Sequence, residues 1–206
     1  MTIWAVLPVK PLAAGKSRLH NYLDPGEIIE LNKGLFESTF ERIMNCKSID
    51  RLMVVTHDPQ LLTYTEANDG VGLLENSPSS LNQAISQAFS VIEEEDPGPV
   101  LVIPADLPKM RSEDLAELIS LGISERFLVI VPDCHQTGTN ALYLSSPTLI
   151  KPRFGHRSFQ KHTSQALKKT ADLTIWINKP MQYDLDTFQD LHLYNKIEVQ
   201  SSILTN

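Results

Sequence analysis

At 206 residues and a net charge of −7, the chain can bury one sizeable core, and it lacks the basic excess that a nucleic-acid-binding face needs. Its two cysteines, Cys46 and Cys134, have neither metal-binding spacing nor the density of a disulfide framework, so buried free thiols in a reducing compartment are expected. No apolar run reaches membrane-spanning length and no charged segment precedes a long apolar stretch at the N-terminus, which predicts one cytoplasmic domain over residues 1–206, with a loose tail from about 197.

In chain order, Ile3–Leu7 reads as a buried strand, followed by a loop that carries Lys10, Lys16 and Arg18. Asp24-Pro25-Gly26-Glu27 is a helix start, with Asp as cap, Pro at the first position and Glu at the third. Ile28, Leu31, Leu35, Phe36, Phe40 and Ile43 continue it as an apolar stripe. Leu52–Thr56 is a second strand, His57-Asp58-Pro59 opens a short helix through Ala67, and Val71–Leu74 is a third strand. Ser79 or Ser80 caps a helix bearing Leu81, Ile85, Ala88, Phe89 and Ile92. Pro99–Ile103 is the fourth strand and Ser112–Leu121 a helix. Phe127–Val131 is the fifth strand, Asp133–Asn140 a polar loop and Ala141–Leu144 a further strand. The basic turn Arg153–Ser158 leads into a helix through Lys169. Leu173–Ile177 is another strand, and Tyr183-Asp184-Leu185-Asp186-Thr187 precedes a last helix through Asn195. Alternating strands and helices predict an α/β fold, a three-layer sandwich about a mostly parallel sheet in which the first, second and fourth strands are adjacent. The stretch from Thr139 to Ile177 alternates less cleanly and is where antiparallel strands are expected.

Pro104-Ala105-Asp106-Leu107-Pro108 organises the rest. The chain leaves a buried strand and at once presents one carboxylate between two prolines, neither of which continues a strand or helix comfortably. Ligands of open α/β sheets sit at the carboxyl ends of strands, where a carboxylate can hold a divalent cation and the cation can hold phosphates. The alternative is an aspartate that merely turns the chain. Gly15-Lys16-Ser17 looks like the end of a P-loop, but the glycine required five positions earlier is Lys10, so the ordinary P-loop is rejected. What remains is a strand-end loop whose Lys10, Lys16 and Arg18 point to polyanions. Asp184 and Asp186 follow another strand, and with Asp106 they make a candidate Mg²⁺ site; against this, Asp186 or Thr187 can simply cap the final helix. Thr137-Gly138-Thr139-Asn140 is a donor-rich loop. In Phe154-Gly155-His156-Arg157-Ser158, Gly155 allows a tight turn and Ser158 opens a helix whose free N–H groups attract anions, with Arg153, Arg157 and Lys161 adding charge. His156 and His162 can pair with phosphate, although a surface position is the commoner outcome. No serine or cysteine nucleophile is evident.

These stretches in this order resemble the guanylyltransferases of coenzyme F-420 biosynthesis that act on 2-phospho-L-lactate or phosphoenolpyruvate. The resemblance runs from Ala5 to Leu191. It is carried by Pro8-Val9-Lys10 with Lys16-Ser17-Arg18-Leu19, Leu81-Asn82, the Asp106 pentapeptide, Thr137 to Leu142, Phe154-Gly155 with Ser158-Phe159 and His162, and Asp184 to Thr187. It implies a nucleotide-diphospho-sugar transferase (GT-A-like), Rossmann-like fold and transfer of GMP from GTP to the phosphate of a three-carbon acid, with Mg²⁺ as cofactor and pyrophosphate as leaving group; a homodimer is left open. By the same resemblance, Asp106 and Lys16 are catalytic, and Lys10, Lys16, Arg18 and Asn82 bind the nucleotide. Asp106 holds the metal with either Asp184 or Asp186, the other of the two serving as support, and Thr139, Gly155 and Ser158 bind the acceptor. For Asn82 the alternative is a helix cap. The chain departs from the family where Cys134-His135-Gln136 replaces Arg-His-Gly, which puts acceptor choice in question, and where Phe188 replaces a proline. The alternatives are a nucleotidyltransferase of this fold with a molybdopterin or phosphorylated polyol acceptor, and a nucleotide-binding regulatory module without turnover.

Overall fold

The computed structural model describes residues 1–76 and 80–194. Seven strands form one sheet: β1 (Trp4–Pro8), β2 (Arg51–Thr56), β3 (Val71–Leu74), β4 (Val100–Val102), β5 (Phe127–Pro132), β6 (Thr139–Leu144) and β7 (Asp172–Ile175), in the order β3-β2-β1-β4-β6-β5-β7. β1 pairs in parallel with both β2 and β4, as the alternating pattern predicts. Among the described residues, only β6 runs against its neighbours, pairing antiparallel with β4 and with β5. The connection from β5 to β6 spans residues 133–138, long enough for a hairpin but too short for a parallel crossover.

The five inner strands are buried on both faces, while the edge strands β3 and β7 are only half-buried, and the side chains of the inner strands alternate between two cores. Ala5, Leu7, Leu52, Val54, Leu101, Val129 and Tyr143 face one side; Trp4, Val6, Met53, Val55, Val102, Leu128 and Leu142 face the other. The first core is covered by α1 (Pro25–Met44), α2 (Pro59–Ala67) and α4 (Ser112–Ser120), and the second by α3 (Leu81–Glu95) and α5 (Ser158–Lys168). This is the expected three-layer sandwich.

Helix starts follow local chemistry. Asp24 and Glu27 close a capping box with Pro25 in the first turn of α1; Asp58 caps α2 ahead of Pro59; Ser80 and Gln83 close the box of α3. A four-residue helix, α6 (Lys179–Gln182), is capped by Asn178 and was not expected, because one turn is too short to show a period. Residues 188–194 are helical; the expected end at Asn195 and the loose tail lie outside the described residues. Cys46 is buried as expected, but Cys134 is exposed, on the turn after β5 rather than in the core.

Candidate active site

The parallel strands and the start of antiparallel β6 bring five loops to one edge of the sheet. The first leaves β1. Its segment from Leu12 to Ala14 is held from both sides: Asp58 Oδ2 accepts from the Leu12 N–H at 3.1 Å, and Asn32 Nδ2 donates to Leu12 O at 2.8 Å. Neither Asp58 nor Asn32 stood out in the sequence, although Asp58 carries an ordinary helix-cap signal. Gly15 and Lys16 then take left-handed φ values of 98° and 47°, which turns Lys16 inward. Lys10 and Arg18 remain exposed.

Lys16 Nζ lies 3.0 Å from Asp106 Oδ2 and 3.1 Å from Asp186 Oδ1. The lysine side chain is 8% exposed, and the two carboxylates are 29% and 42% exposed. Burial works against charge on Lys16, but Asp106 and then Asp186 outweigh it, and its pKa stands above the ordinary lysine value. The Asp106 turn is fixed through its backbone: Thr39 Oγ1 donates to Ala105 O at 3.2 Å, and the Leu185 N–H donates to Asp106 O at 2.9 Å. The second bond brings the C-terminal segment across the sheet edge. Thr187 caps residues 188–194, exchanging bonds with Asp190, whose carboxylate also accepts from the Asp186 N–H. Capping is therefore done by Thr187, and the Asp186 carboxylate is left to face Lys16.

Asp184 lies beside the same cluster. Burial, followed by Asp106 and Asp186, pushes its carboxyl up to about 6. Among the described residues, no group of three acidic, histidine or cysteine side chains is arranged as a ready-made metal cage. Yet Asp106 and Asp186 converge on a single cation, the Lys16 ammonium, and Asp184 adjoins them. That donor set fits Mg²⁺ of the kind bound by one or two carboxylates and completed by phosphate oxygens and water.

The other expected group lies where α5 meets β6. Thr139 and Ser158 are buried and Gly155 is exposed with φ 97°. The Ser158 N–H, expected to be free, donates to Gly155 O at 2.9 Å, and the Phe159 N–H donates to Thr137 O at 3.2 Å. These bonds tie the helix start to the loop, and Ser158 has its hydroxyl rather than its N–H to offer. Asp133 organises that loop by accepting from the N–H groups of Thr137 and Gly138 and from the Thr137 hydroxyl. Asn82 is not a cap, since Ser80 fills that role; its amide donates to Phe154 O at 3.1 Å and accepts from the Phe154 N–H at 2.6 Å, pinning the turn to α3. His156 is exposed, but His162 is wholly buried, contrary to the surface position expected. Its burial has a sequence signal: Ser158, His162 and Ala166 recur at four-residue steps, the inward stripe of α5.

A family model described as guanylyl transferase CofC-like matches residues 3–194. The phosphoenolpyruvate guanylyltransferase of Sphaerobacter thermophilus is 30% identical over 191 residues, covering 93% of this chain and 91% of that protein. The 2-phospho-L-lactate guanylyltransferase of Methanocaldococcus infernus is 30% identical over 186 residues, covering 90% and 81%. Among solved structures, a putative nucleotide-diphospho-sugar transferase from Desulfovibrio desulfuricans superposes with a TM-score of 0.75 at 14% identity, covering 94% of this chain and 86% of that one, a likeness of fold.

Proposed function

The chain belongs to the guanylyl transferase CofC-like family, and from that premise we propose that it transfers GMP from GTP to the phosphate of phosphoenolpyruvate or 2-phospho-L-lactate, releasing pyrophosphate, in the cytoplasmic synthesis of coenzyme F-420. The relatives' names supply the two acceptors. The observation that carries the chemistry is the meeting of Lys16, Asp106 and Asp186, drawn from three distant parts of the chain to one sheet edge. Such a cluster of charges suits a reaction between two polyanions.

The acceptor phosphate is anionic at neutral pH. One of its oxygens attacks the α-phosphorus of GTP; the bond from that phosphorus to the oxygen bridging the β-phosphorus breaks, and pyrophosphate leaves with the electron pair. No protein base or nucleophile is needed, so the task is positioning and charge neutralisation. Lys10, Lys16 and Arg18 neutralise the triphosphate, and Lys16 can exchange its carboxylate partners for phosphate oxygens. Asp106, with Asp184 or Asp186, holds Mg²⁺, which when bound draws charge from the phosphate oxygens. Thr139, Gly155 and Ser158 orient the acceptor.

The test is pyrophosphate release from each of the four nucleoside triphosphates paired with phosphoenolpyruvate, 2-phospho-L-lactate and polyol phosphates. Release with GTP and one of the two acids is expected. Release only with another nucleotide or a polyol phosphate overturns the proposal, and GTP binding without release with any partner makes the chain a binding module.

A further inference from the structure

His162 has no exposed surface, and both of its ring nitrogens are engaged. The Arg153 N–H points at Nε2 at 2.9 Å. An amide N–H can only donate, so Nε2 must carry the lone pair. Nδ1 stands 3.0 Å from the Thr139 hydroxyl. A neutral imidazole with its lone pair on Nε2 carries its proton on Nδ1. Burial and then Lys161 keep the ring neutral, with a pKa near 4. Phe154 meets the ring edge-on, with centroids 4.9 Å apart at 67°, and fixes its plane.

Thr139 Oγ1 must then accept from His162, and its own proton points elsewhere. Thr139 is 8% exposed, and among the described residues its hydroxyl has no second partner. A hydroxyl proton this buried needs an acceptor. Thr139 opens β6 three residues before Leu142, which pairs with Val102 of β4, so the hydroxyl stands at the sheet edge that carries Asp106.

We propose that His162 is a positioning residue that occupies the Thr139 hydroxyl oxygen and commits its proton to a ligand, so that this subsite favours an accepting oxygen, a carboxylate or phosphate oxygen of the acceptor, over an ammonium or amide N–H that can only donate there. This rests on the acceptor reading above in placing Thr139 against the acceptor rather than the nucleotide.

Two measurements test it. In the full-length wild-type chain, the ¹⁵N shifts of the His162 ring, assigned through its own Cβ, should show protonated Nδ1 and bare Nε2. A proton on Nε2 overturns the proposal and requires no variant to fold. Calorimetric titration with phosphoenolpyruvate, 2-phospho-L-lactate and inorganic phosphate should give binding that Thr139→Val weakens about tenfold, the loss of one hydrogen bond to a charged group. His162→Gln or His162→Asn, whichever keeps the parent's circular dichroism, should weaken it similarly, and Thr139→Val combined with the His162 variant should be no weaker than Thr139→Val alone. A merely structural histidine would add its loss to that of Thr139, and that result, or no binding of any of the three anions, overturns the proposal. Binding with non-additive losses but no pyrophosphate release leaves this inference standing and removes the proposed reaction; release with additive losses does the reverse.

Discussion

Asp106 is held by charge on its side chain and by hydrogen bonds on its backbone, and these can be separated. Asp106→Asn keeps the Leu185 N–H bond to Asp106 O and the packing of the turn, so the fold should persist. It removes half the charge that faces Lys16 and one candidate Mg²⁺ ligand, and turnover should fall more than about 100-fold. Pyrophosphate release with an unchanged melting curve checks this, and a variant close to the parent's rate removes Asp106 from the chemistry. The placement of Asp106 at a strand end was legible because it is local. Its contact with Lys16 was not, because 90 residues separate them, and no pattern in the sequence chose Asp186 over Asp184 before the Thr187 cap was seen. Gln136, which replaces the family's usual glycine, is left-handed with φ 54°. That conformation costs a non-glycine residue about 1 kcal/mol. Its carbonyl accepts from Gln160 Nε2, a bond that a glycine keeps. Gln136→Gly should therefore raise stability by up to about 1 kcal/mol in urea titration, glycine's greater unfolded-state freedom setting the ceiling. His162 carries a pH signature. Its folded pKa, near 4, lies below the usual 6.5, so between those values the unfolded chain holds the extra proton and stability falls as pH drops from 6.5 towards 4, by at most about 3 kcal/mol. The parent's loss of stability across that window should shrink in His162→Gln; an equal loss in both would show that the ring is not kept neutral.

Most elements could be read from caps and periods, because those signals sit within a few residues of the structure they cause. The exceptions were short or depended on partners far along the chain. α6 offered only the Asn178 cap and Pro180, and the strand direction of β6 rested on the length of one loop. The C-terminal segment shows how a weakly patterned stretch can be essential. Leu185, 1% exposed, packs with Leu19, Leu35 and Leu191, while Phe188 stacks on Tyr22 at 4.3 Å. This small cluster clamps the segment over the β1 loop and sets Asp184 and Asp186 against Lys16. Phe188, where the family's usual residue is proline, adds an aromatic contact to that clamp. Leu185→Ala should cost about 2–4 kcal/mol of stability. It should also lower turnover, because the carboxylates on either side lose their fixed position. Urea unfolding and pyrophosphate release measure the two effects, and a loss of stability with full activity would mean that the clamp does not position the aspartates.

At the scale of the whole molecule, the strand order decides how two polyanions can approach one another. β4 lies between β1 and β6, so the Lys10–Arg18 loop and the Thr139 start of β6 are separated by two strand spacings, roughly 10 Å, with Asp106 on the turn that follows the strand between them. The proposed nucleotide and acceptor subsites are therefore neighbours with separate walls, and because β6 runs antiparallel to β4 it is the start of β6 that lies at the edge where β4 ends. Substitutions in the two walls should act independently. Lys10 is exposed, and Lys10→Ala should raise the KM for GTP a fewfold without changing that for the acceptor. Gly155 has φ 97°, and a Cβ there meets no protein atom within 4 Å. Gly155→Val thus acts through backbone strain and through space left for a ligand rather than by a clash within the protein, raising the acceptor KM or lowering kcat while GTP affinity holds. The double variant should show the product of the two single effects, since sites this far apart usually add in free energy to within about 0.5 kcal/mol. Steady-state kinetics with GTP and acceptor varied separately would decide it. A Gly155→Val variant that loses GTP affinity as much as acceptor use would place both substrates against one wall, and the division of the sheet edge at Asp106 would be wrong.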